Sequence, residues 1–270
     1  MQFKHSLGFF ALAAIVAALP ACNKTVENAD DTIEFKTLTS SKVYRLEGTA
    51  KVFMSDSDIC FQDSANLVFP TKIRGRDITA LQDSIVRLAF DTVGAVNPAM
   101  DAYFAKTVAE QGYPYKEVPD STPRTDYDGS TIIDGEVYSM SAEMLTYRIS
   151  NYSYMPGAAH GLTIQNYLTY SIRMGKMVSL ADLFTPEGLA KLPDMLRTRA
   201  KQLEAAIGPT DITALPSGNN FFISLDGSIV FVYQPYEVAS YAQGAIAISF
   251  YPYQLTELLS DEGMKLFHLN

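Results

Sequence analysis

Few side chains in this sequence have the chemistry of a nucleophile, a base or a metal ligand. The 270 residues contain three histidines and two cysteines, against 30 acidic residues. His5 lies in the N-terminal stretch, which leaves His160 and His268 for a site in a folded body. A zinc site built from His and Cys needs about three or four such ligands. Gly-rich phosphate loops and Gly-x-Ser-x-Gly nucleophile turns are also missing, so we expect no metal and no cofactor.

The thiol of Cys22 is the exception, because its context predicts covalent modification. A short basic stretch, residues 1–5, precedes an almost wholly apolar run, residues 7–19, and Pro20-Ala21-Cys22 follows. The run is shorter than the roughly 20 residues that a membrane-spanning helix needs. The pattern predicts a lipoprotein signal peptide over residues 1–21 and a diacylglycerol group on Cys22. A secreted protein cut near Ala21 and an uncleaved anchor are the alternatives.

Charge and composition narrow the range of partners. The net charge is −9 and there is no basic block, so nucleic acid is not an expected partner. An acidic surface is repelled by anionic lipid, so the membrane contact is expected through the N-terminal lipid. Residues 22–32 are polar and predict a flexible tether. The expected location is the cell envelope, at an outer membrane, facing the periplasm or the surface.

Cys60 is the one thiol left if Cys22 is acylated, so no intrachain disulfide is expected. Its neighbours, Ile59 and Phe61, are apolar and typical of a strand. We therefore interpret Cys60 as a buried and unreactive thiol.

His160 and Glu237 are the most distinctive polar residues of the C-terminal half. His160 lies in Gly157-Ala158-Ala159-His160-Gly161, where small residues allow a tight turn. Its imidazole either contacts a ligand or fixes this turn through backbone hydrogen bonds. Glu237 follows Pro235-Tyr236 and either holds backbone N–H groups at a turn or is solvated. We favour the structural role for both residues.

The elements that position these residues follow from the periodicity of apolar positions. In the N-terminal half we predict strands at 33–36, 43–46 and 52–54, a strand ending at Pro70, a helix over 76–90, and a helix capped by Asn97 that ends near Gly112. In the C-terminal half we predict strands at 131–140, 143–154 and 162–173, a helix over 186–206 that Pro193 divides, a hairpin at Asp226-Gly227, a strand opening at Gly244 and a short helix at 255–259. Strands joined by short turns, with few helices, indicate an α+β fold: two subdomains of antiparallel sheet, with helices packed on one face.

Three segments carry a resemblance to a known family: Tyr154-x-x-Gly157-Ala-Ala-His160-Gly161, Gly175-Lys176-x-Val-Ser-Leu180-x-x-Leu183-Phe184, and Asn220-Phe221 through Pro235-Tyr236-Glu237-x-Ala239 to Gly244. Together they resemble the extracytoplasmic domain of unknown function shared by the anti-sigma factor RsiV and the peptidoglycan deacetylase PdaC. Ala158 stands where that domain usually has a second glycine. The resemblance implies a PdaC-type α+β domain over residues 33–160 and an RsiV-like α+β domain over residues 161–270.

The resemblance also implies a binding role, since this region of RsiV binds lysozyme. The separate deacetylase domain, with its Asp and His metal ligands, has no counterpart here, and we expect no enzymatic activity. The expectation is a non-catalytic, lipid-anchored cell-envelope binding protein whose ligand is a protein such as lysozyme or a cell-wall glycan. A carboxylate-dependent hydrolase of envelope polymers, with two carboxylates about 5–9.5 Å apart, and a structural lipoprotein are the alternatives. The family-motif residues with a structural or binding role are Tyr154, Gly157, His160, Gly161, Tyr236 and Glu237.

Overall fold

A computed structural model of the protein describes residues 31–47, 59–123 and 128–269. The signal peptide, Cys22, most of the tether and the strand predicted at 52–54 lie outside these residues. The strands are β1 (Ile33–Leu46), β2 (Cys60–Ile73), β3 (Tyr115–Val118), β4 (Gly129–Met140), β5 (Met144–Tyr154), β6 (Leu162–Ser171), β7 (Lys176–Met177), β8 (Phe221–Ile223), β9 (Ile229–Tyr233) and β10 (Ile246–Phe250). The helices are α1 (Thr79–Phe90), α2 (Val96–Glu110), α3 (Leu180–Leu183), α4 (Pro186–Gln202), α5 (Glu204–Ile207) and α6 (Asp261–Leu266).

The larger sheet has seven strands in the order β3-β1-β2-β4-β5-β6-β7. Neighbouring strands are antiparallel except β2 and β4, which are parallel. A parallel pair needs a connection of about a dozen residues or more, and here α1, α2 and β3 supply it. The two helices pack on one face of the sheet and form the first core, whose fully buried side chains include Leu67, Leu81, Ile85, Phe104, Ile133, Leu145 and Ile149.

The smaller sheet has three antiparallel strands in the order β10-β9-β8. Its apolar side chains pack against α3, α4 and α6 and form the second core, which includes Leu183, Leu192, Leu196, Ile229, Phe231 and Ile248. The fold class predicted from the sequence, α+β, is confirmed, with one parallel pair inside the larger sheet.

The division predicted between residues 160 and 161 does not coincide with the boundary between the two sheets. β5 and β6 flank it, and they pair continuously from Ser153↔Leu162 to Met144↔Ser171. The first core extends to Ile172, and the second begins at Val178. The β5–β6 hairpin therefore carries the chain across the predicted boundary within one sheet.

Two predictions in the first sheet are corrected. β1 is one strand of 14 residues, not two short strands, because it pairs with β2 along its whole length. β2 does not end at Pro70 but continues to Ile73. Pro70 is accommodated because the β1 register shifts opposite it, between Glu34 and Phe35, and because β4 pairs with β2 only from Phe61 to Leu67.

Two helix predictions are also corrected. α2 begins at Val96 with Ala95 as its N-cap, so Asn97 lies in the first turn and does not cap the helix. α4 runs through Pro193 without a break. An interior proline costs roughly 3 kcal/mol, and burial of Leu192, Leu196 and Ala200 on the second core offsets that cost.

Candidate functional site

The connection between β5 and β6 positions His160. The phenol of Tyr154 donates a hydrogen bond of 2.9 Å to the carbonyl of Ala158, which closes this loop. Gly157 has a φ of 75°, in the left-handed region that favours glycine. A Cβ on Gly161 would overlap the ring of Tyr152, so the loop lies directly on the sheet. The loop residues of the motif therefore hold the backbone that presents His160 to solvent.

His160 lies in a surface group of stacked rings with Tyr236 and Tyr241, which we name the ring cluster. The centroids of His160 and Tyr241 are 3.9 Å apart, with 19° between the planes. Those of Tyr236 and Tyr241 are 5.4 Å apart. The phenol oxygen of Tyr236 lies 3.2 Å from Nε2 of His160. Tyr236 is 60% exposed, so the cluster offers ring surface to solvent.

Both ring nitrogens of His160 have partners, which defines what the imidazole can do. Nδ1 lies 3.1 Å from the carbonyl oxygen of Gly161. A carbonyl only accepts, so we assign the proton to Nδ1 and let Nε2 accept from the Tyr236 hydroxyl. The imidazole is therefore held within the cluster, and among the described residues its side-chain hydrogen-bond partner is the phenol of Tyr236.

Glu237 positions Tyr236 from the next residue. One carboxylate oxygen accepts from the backbone N–H of Gln234 at 2.7 Å, and the other accepts from that of Ser217 at 2.6 Å. Tyr236 has a φ of 69°, an uncommon conformation for a residue with a Cβ. The two charge-assisted hydrogen bonds hold the turn in which this conformation occurs.

Tyr241 completes the cluster, and sequence reasoning did not single it out. Its hydroxyl donates to the carbonyl of Gly161 at 2.7 Å, which ties it to the His160 loop. Its helical turn is capped reciprocally by Ser240 and Gln243. The side chain of Gln243 also donates to the carbonyls of Ile207 and Pro209. With 16 tyrosines in the chain, no local signal distinguishes Tyr241 from the others.

Side-chain amides of Asn220 and Gln234 bind the edge of β6 beside the ring cluster. Asn220 accepts from the N–H of Tyr167 at 2.9 Å and donates to the carbonyl of Gln165 at 2.8 Å. Gln234 accepts from the N–H of Gln165 at 3.0 Å and donates to its carbonyl at 2.6 Å. These amides take the place of a neighbouring strand and fix the smaller sheet against the larger one.

Two pockets are lined by residues of the larger sheet. The first, of about 390 Å³, adjoins the ring cluster and is lined by Thr163, Gln165, Tyr241 and Gln243 among others. The second, of about 260 Å³, receives polar groups from Asn66, Asp134, Glu136, Arg148 and Ser150.

The remaining predicted residues of chemical interest are not at this site. Cys60 is fully buried and has a free thiol, and Cys22 lies outside the described residues. Across residues 31–47, 59–123 and 128–269, no group of three or more His, Cys, Asp or Glu is arranged to hold a metal ion. Over the same ranges, no helix combines the length and the apolar character needed to cross a membrane.

The model of one protein family, described as "Protein of unknown function (DUF3298)", matches residues 181–253. The chain therefore carries a DUF3298 domain, which covers α3, α4 and the smaller sheet. Tyr236 and Tyr241 lie inside the matched residues, whereas His160 lies before them. No match is found among curated proteins.

Two solved structures of DUF3298 family proteins share the fold. A DUF3298 family member from Bacteroides fragilis aligns with a TM-score of 0.62 at 17% identity, over 88% of this chain and 98% of the other. A DUF3298 family protein from Pseudomonas aeruginosa aligns with a TM-score of 0.58 at 15% identity, over 89% of this chain and 99% of the other. At these identities the likeness extends to the fold alone.

Proposed function

We propose that this protein is a non-catalytic binding module of the cell envelope, held to a membrane by lipid on Cys22, and that the ring cluster binds a cell-wall glycan. The observation that carries the proposal is the stack of His160, Tyr236 and Tyr241, in which His160 and Tyr236 are exposed and Tyr241 is partly exposed. Flat aromatic faces pack against the C–H faces of sugar rings, and phenol hydroxyls bond to sugar hydroxyls. Such a surface suits the sugar rings of a hydroxyl-rich polymer.

The rigidity of the cluster supports a binding role. Tyr236 is held through Glu237, Tyr241 through Gly161 and the Ser240–Gln243 cap, and His160 through Gly161. Side chains that are ordered before binding lose little conformational entropy when the ligand arrives. Tyrosine contributes a large contact area with few rotatable bonds.

The test is titration of the mature protein with soluble peptidoglycan glycan strands in a calorimeter. We expect Tyr241→Ala to weaken binding about tenfold, or about 1.4 kcal/mol. Tyr253→Ala is the matched control, because Tyr253 is 64% exposed and stacks on Tyr251 outside the cluster. No wild-type binding tighter than millimolar, or equal losses in the two variants, would contradict the proposal.

A cationic protein such as lysozyme is the second candidate ligand, and the net charge of −9 favours it. Opposite charges accelerate association, and salt screens the effect. Titration with lysozyme at low and high salt tests this candidate, because attraction between opposite charges should weaken as salt rises, whereas stacking of sugar rings on the ring cluster should not.

A carboxylate-dependent hydrolase is favoured by one observation: Asp134 and Glu136 line the same small pocket. Two carboxylates flanking a glycosidic bond are the usual requirement for hydrolysis. Incubation of the protein with glycan strands, followed by an assay for new reducing ends, tests this candidate. Production of reducing ends that Glu136→Gln abolishes would replace the non-catalytic proposal.

A further inference from the structure

The face of the larger sheet opposite α1 and α2, which we name the outer face, carries a row of polar side chains across four strands. Gln165 of β6 pairs with Ser150 of β5, Ser150 with Asp134 of β4, and Asp134 with Asn66 of β2. Directly paired residues point to the same face. Neighbouring strands are about 4.8 Å apart, so the row spans about 14 Å. It leads from the pocket beside the ring cluster, which Gln165 lines, into the second pocket.

The second pocket combines hydrogen-bond acceptors and donors. The carboxylates of Asp134 and Glu136 accept, and the guanidinium of Arg148, the amide of Asn66 and the hydroxyl of Ser150 donate. Arg148 is paired with Glu136. Within the described parts of the chain, no hydrogen bond engages the Asp134 carboxylate. Partial desolvation of the carboxyl and the neighbouring charge of Glu136 raise its pKa, as expected for an acceptor that lacks a donor.

Aromatic rings lie next to this pocket, on the far side of its lining residue Arg148. The guanidinium carbon of Arg148 lies 5.2 Å from the ring centroid of Tyr138. Tyr138 meets Tyr167 and Phe222 edge to face, with centroids 5.4 Å and 5.2 Å away, and Tyr138 remains 44% exposed. An exposed ring therefore lies one side chain away from the donors and acceptors of the pocket.

We propose that this pocket is a second saccharide subsite, and that one glycan chain crosses the outer face from the ring cluster into it. Acceptors, donors and an exposed ring are the groups that hydroxyls and sugar rings need, and Arg148 already balances one of the two carboxylates. The polar row gives a continuous path of the length that a chain of several sugars covers. This inference rests on the proposed glycan-binding function and adds the place where the glycan binds beyond the ring cluster.

The test compares the dimer and the hexamer of N-acetylglucosamine as calorimetric probes. The dimer is short enough to occupy the ring cluster alone, whereas the hexamer reaches both subsites. In wild type we expect the hexamer to bind about tenfold more tightly than the dimer. Asp134→Ala and Asn66→Ala should lower hexamer affinity to that of the dimer and leave dimer affinity unchanged. Both residues are exposed, so the variants are expected to fold.

Glu110→Ala is the control, since Glu110 is an exposed carboxylate on α2, on the side of the larger sheet opposite the outer face. Hexamer binding that both pocket variants leave unchanged would overturn this subsite while the ring-cluster proposal stands. A wild type that binds neither oligomer would overturn the proposed function and this inference together.

Discussion

Asp63 is an ionisable side chain that lies in the buried interior of the protein. It lies on β2 with no exposed surface, and the hydroxyl of Thr107 donates to it at 2.6 Å. Burial raises the pKa of its carboxyl from 3.8 to about 6, against the opposing effects of the Thr107 hydrogen bond and the charge of Lys42. A side chain that is usually solvated therefore costs free energy whenever it is ionised inside this domain.

Asp63→Asn should stabilise the protein at neutral pH. Because the folded-state pKa lies above the unfolded value, the contribution of Asp63 to stability is fully present below about pH 4, is lost as pH rises through about 6, and changes little at higher pH. Asparagine keeps an acceptor for Thr107 without the charge. We expect a gain of at most about 3 kcal/mol near pH 8, shrinking to nearly nothing near pH 4. Urea unfolding at the two pH values measures it, and a difference that does not vary with pH would contradict the assignment.

At the scale of elements, the exposed edge of β6 is completed by side chains. Asn220 is 4% exposed and donates to the carbonyl of Val232 at 3.1 Å as well as bonding to β6. Two threonines of the larger sheet bind the backbone of Ile223 in β8. The hydroxyl of Thr169 in β6 accepts from the Ile223 N–H at 3.3 Å, and the hydroxyl of Thr146 in β5 donates to the Ile223 carbonyl at 2.9 Å. An unpaired strand edge is a site of aggregation, and these bonds both cover it and join the two sheets.

Asn220→Ala should destabilise the protein by about 1–3 kcal/mol, because it leaves buried backbone groups of Tyr167 and Val232 unpaired. Gln234→Ala is the companion variant and should cost less, since Gln234 is only partly buried. Chemical unfolding measures the free energy of unfolding of each variant, and light scattering shows whether the uncovered edge of β6 causes aggregation. A larger loss in Gln234→Ala than in Asn220→Ala would show that burial does not set the cost.

At the scale of the whole molecule, the two sheets with their separate cores meet at the edge of β6. The family match, residues 181–253, covers the smaller sheet and part of its core, while the ring cluster draws His160 from the β5–β6 loop of the larger sheet. The proposed binding surface therefore exists only when both sheets are in place.

The lipid anchor is a prediction about the whole molecule that depends on sequence alone. Cys22→Ser should abolish incorporation of labelled palmitate and release the protein from the membrane fraction. The chain has two cysteines, so Cys60→Ala is the matched control and should keep the label. A labelled Cys22→Ser protein, or a mature protein that retains Met1, would show the anchor assignment to be wrong.

Sequence periodicity was informative where structure is local. Strands β4, β5 and β6, helix α1 and the buried Cys60 agree with their apolar patterns, because period-2 and period-3.6 repeats depend on near neighbours alone. The predictions made from Pro70 and Pro193 were wrong, although each proline has a real local cost. A register shift in β1 offsets the cost of Pro70, and packing of α4 on the second core offsets the cost of Pro193. Propensity is a weak guide wherever tertiary contacts compete with it.

The sequence by itself determined the α+β class, the motif residues His160, Tyr236 and Glu237, and the shortage of histidine and cysteine. Only the tertiary structure decided that Tyr241 joins His160, that Asn220 and Gln234 cover the edge of β6, and that Asp134 lies in line with Gln165. Each of these contacts joins residues from different turns or strands, and Asn220 meets Gln165 across 55 positions. Such contacts depend on how the two sheets pack, which no short window of sequence encodes.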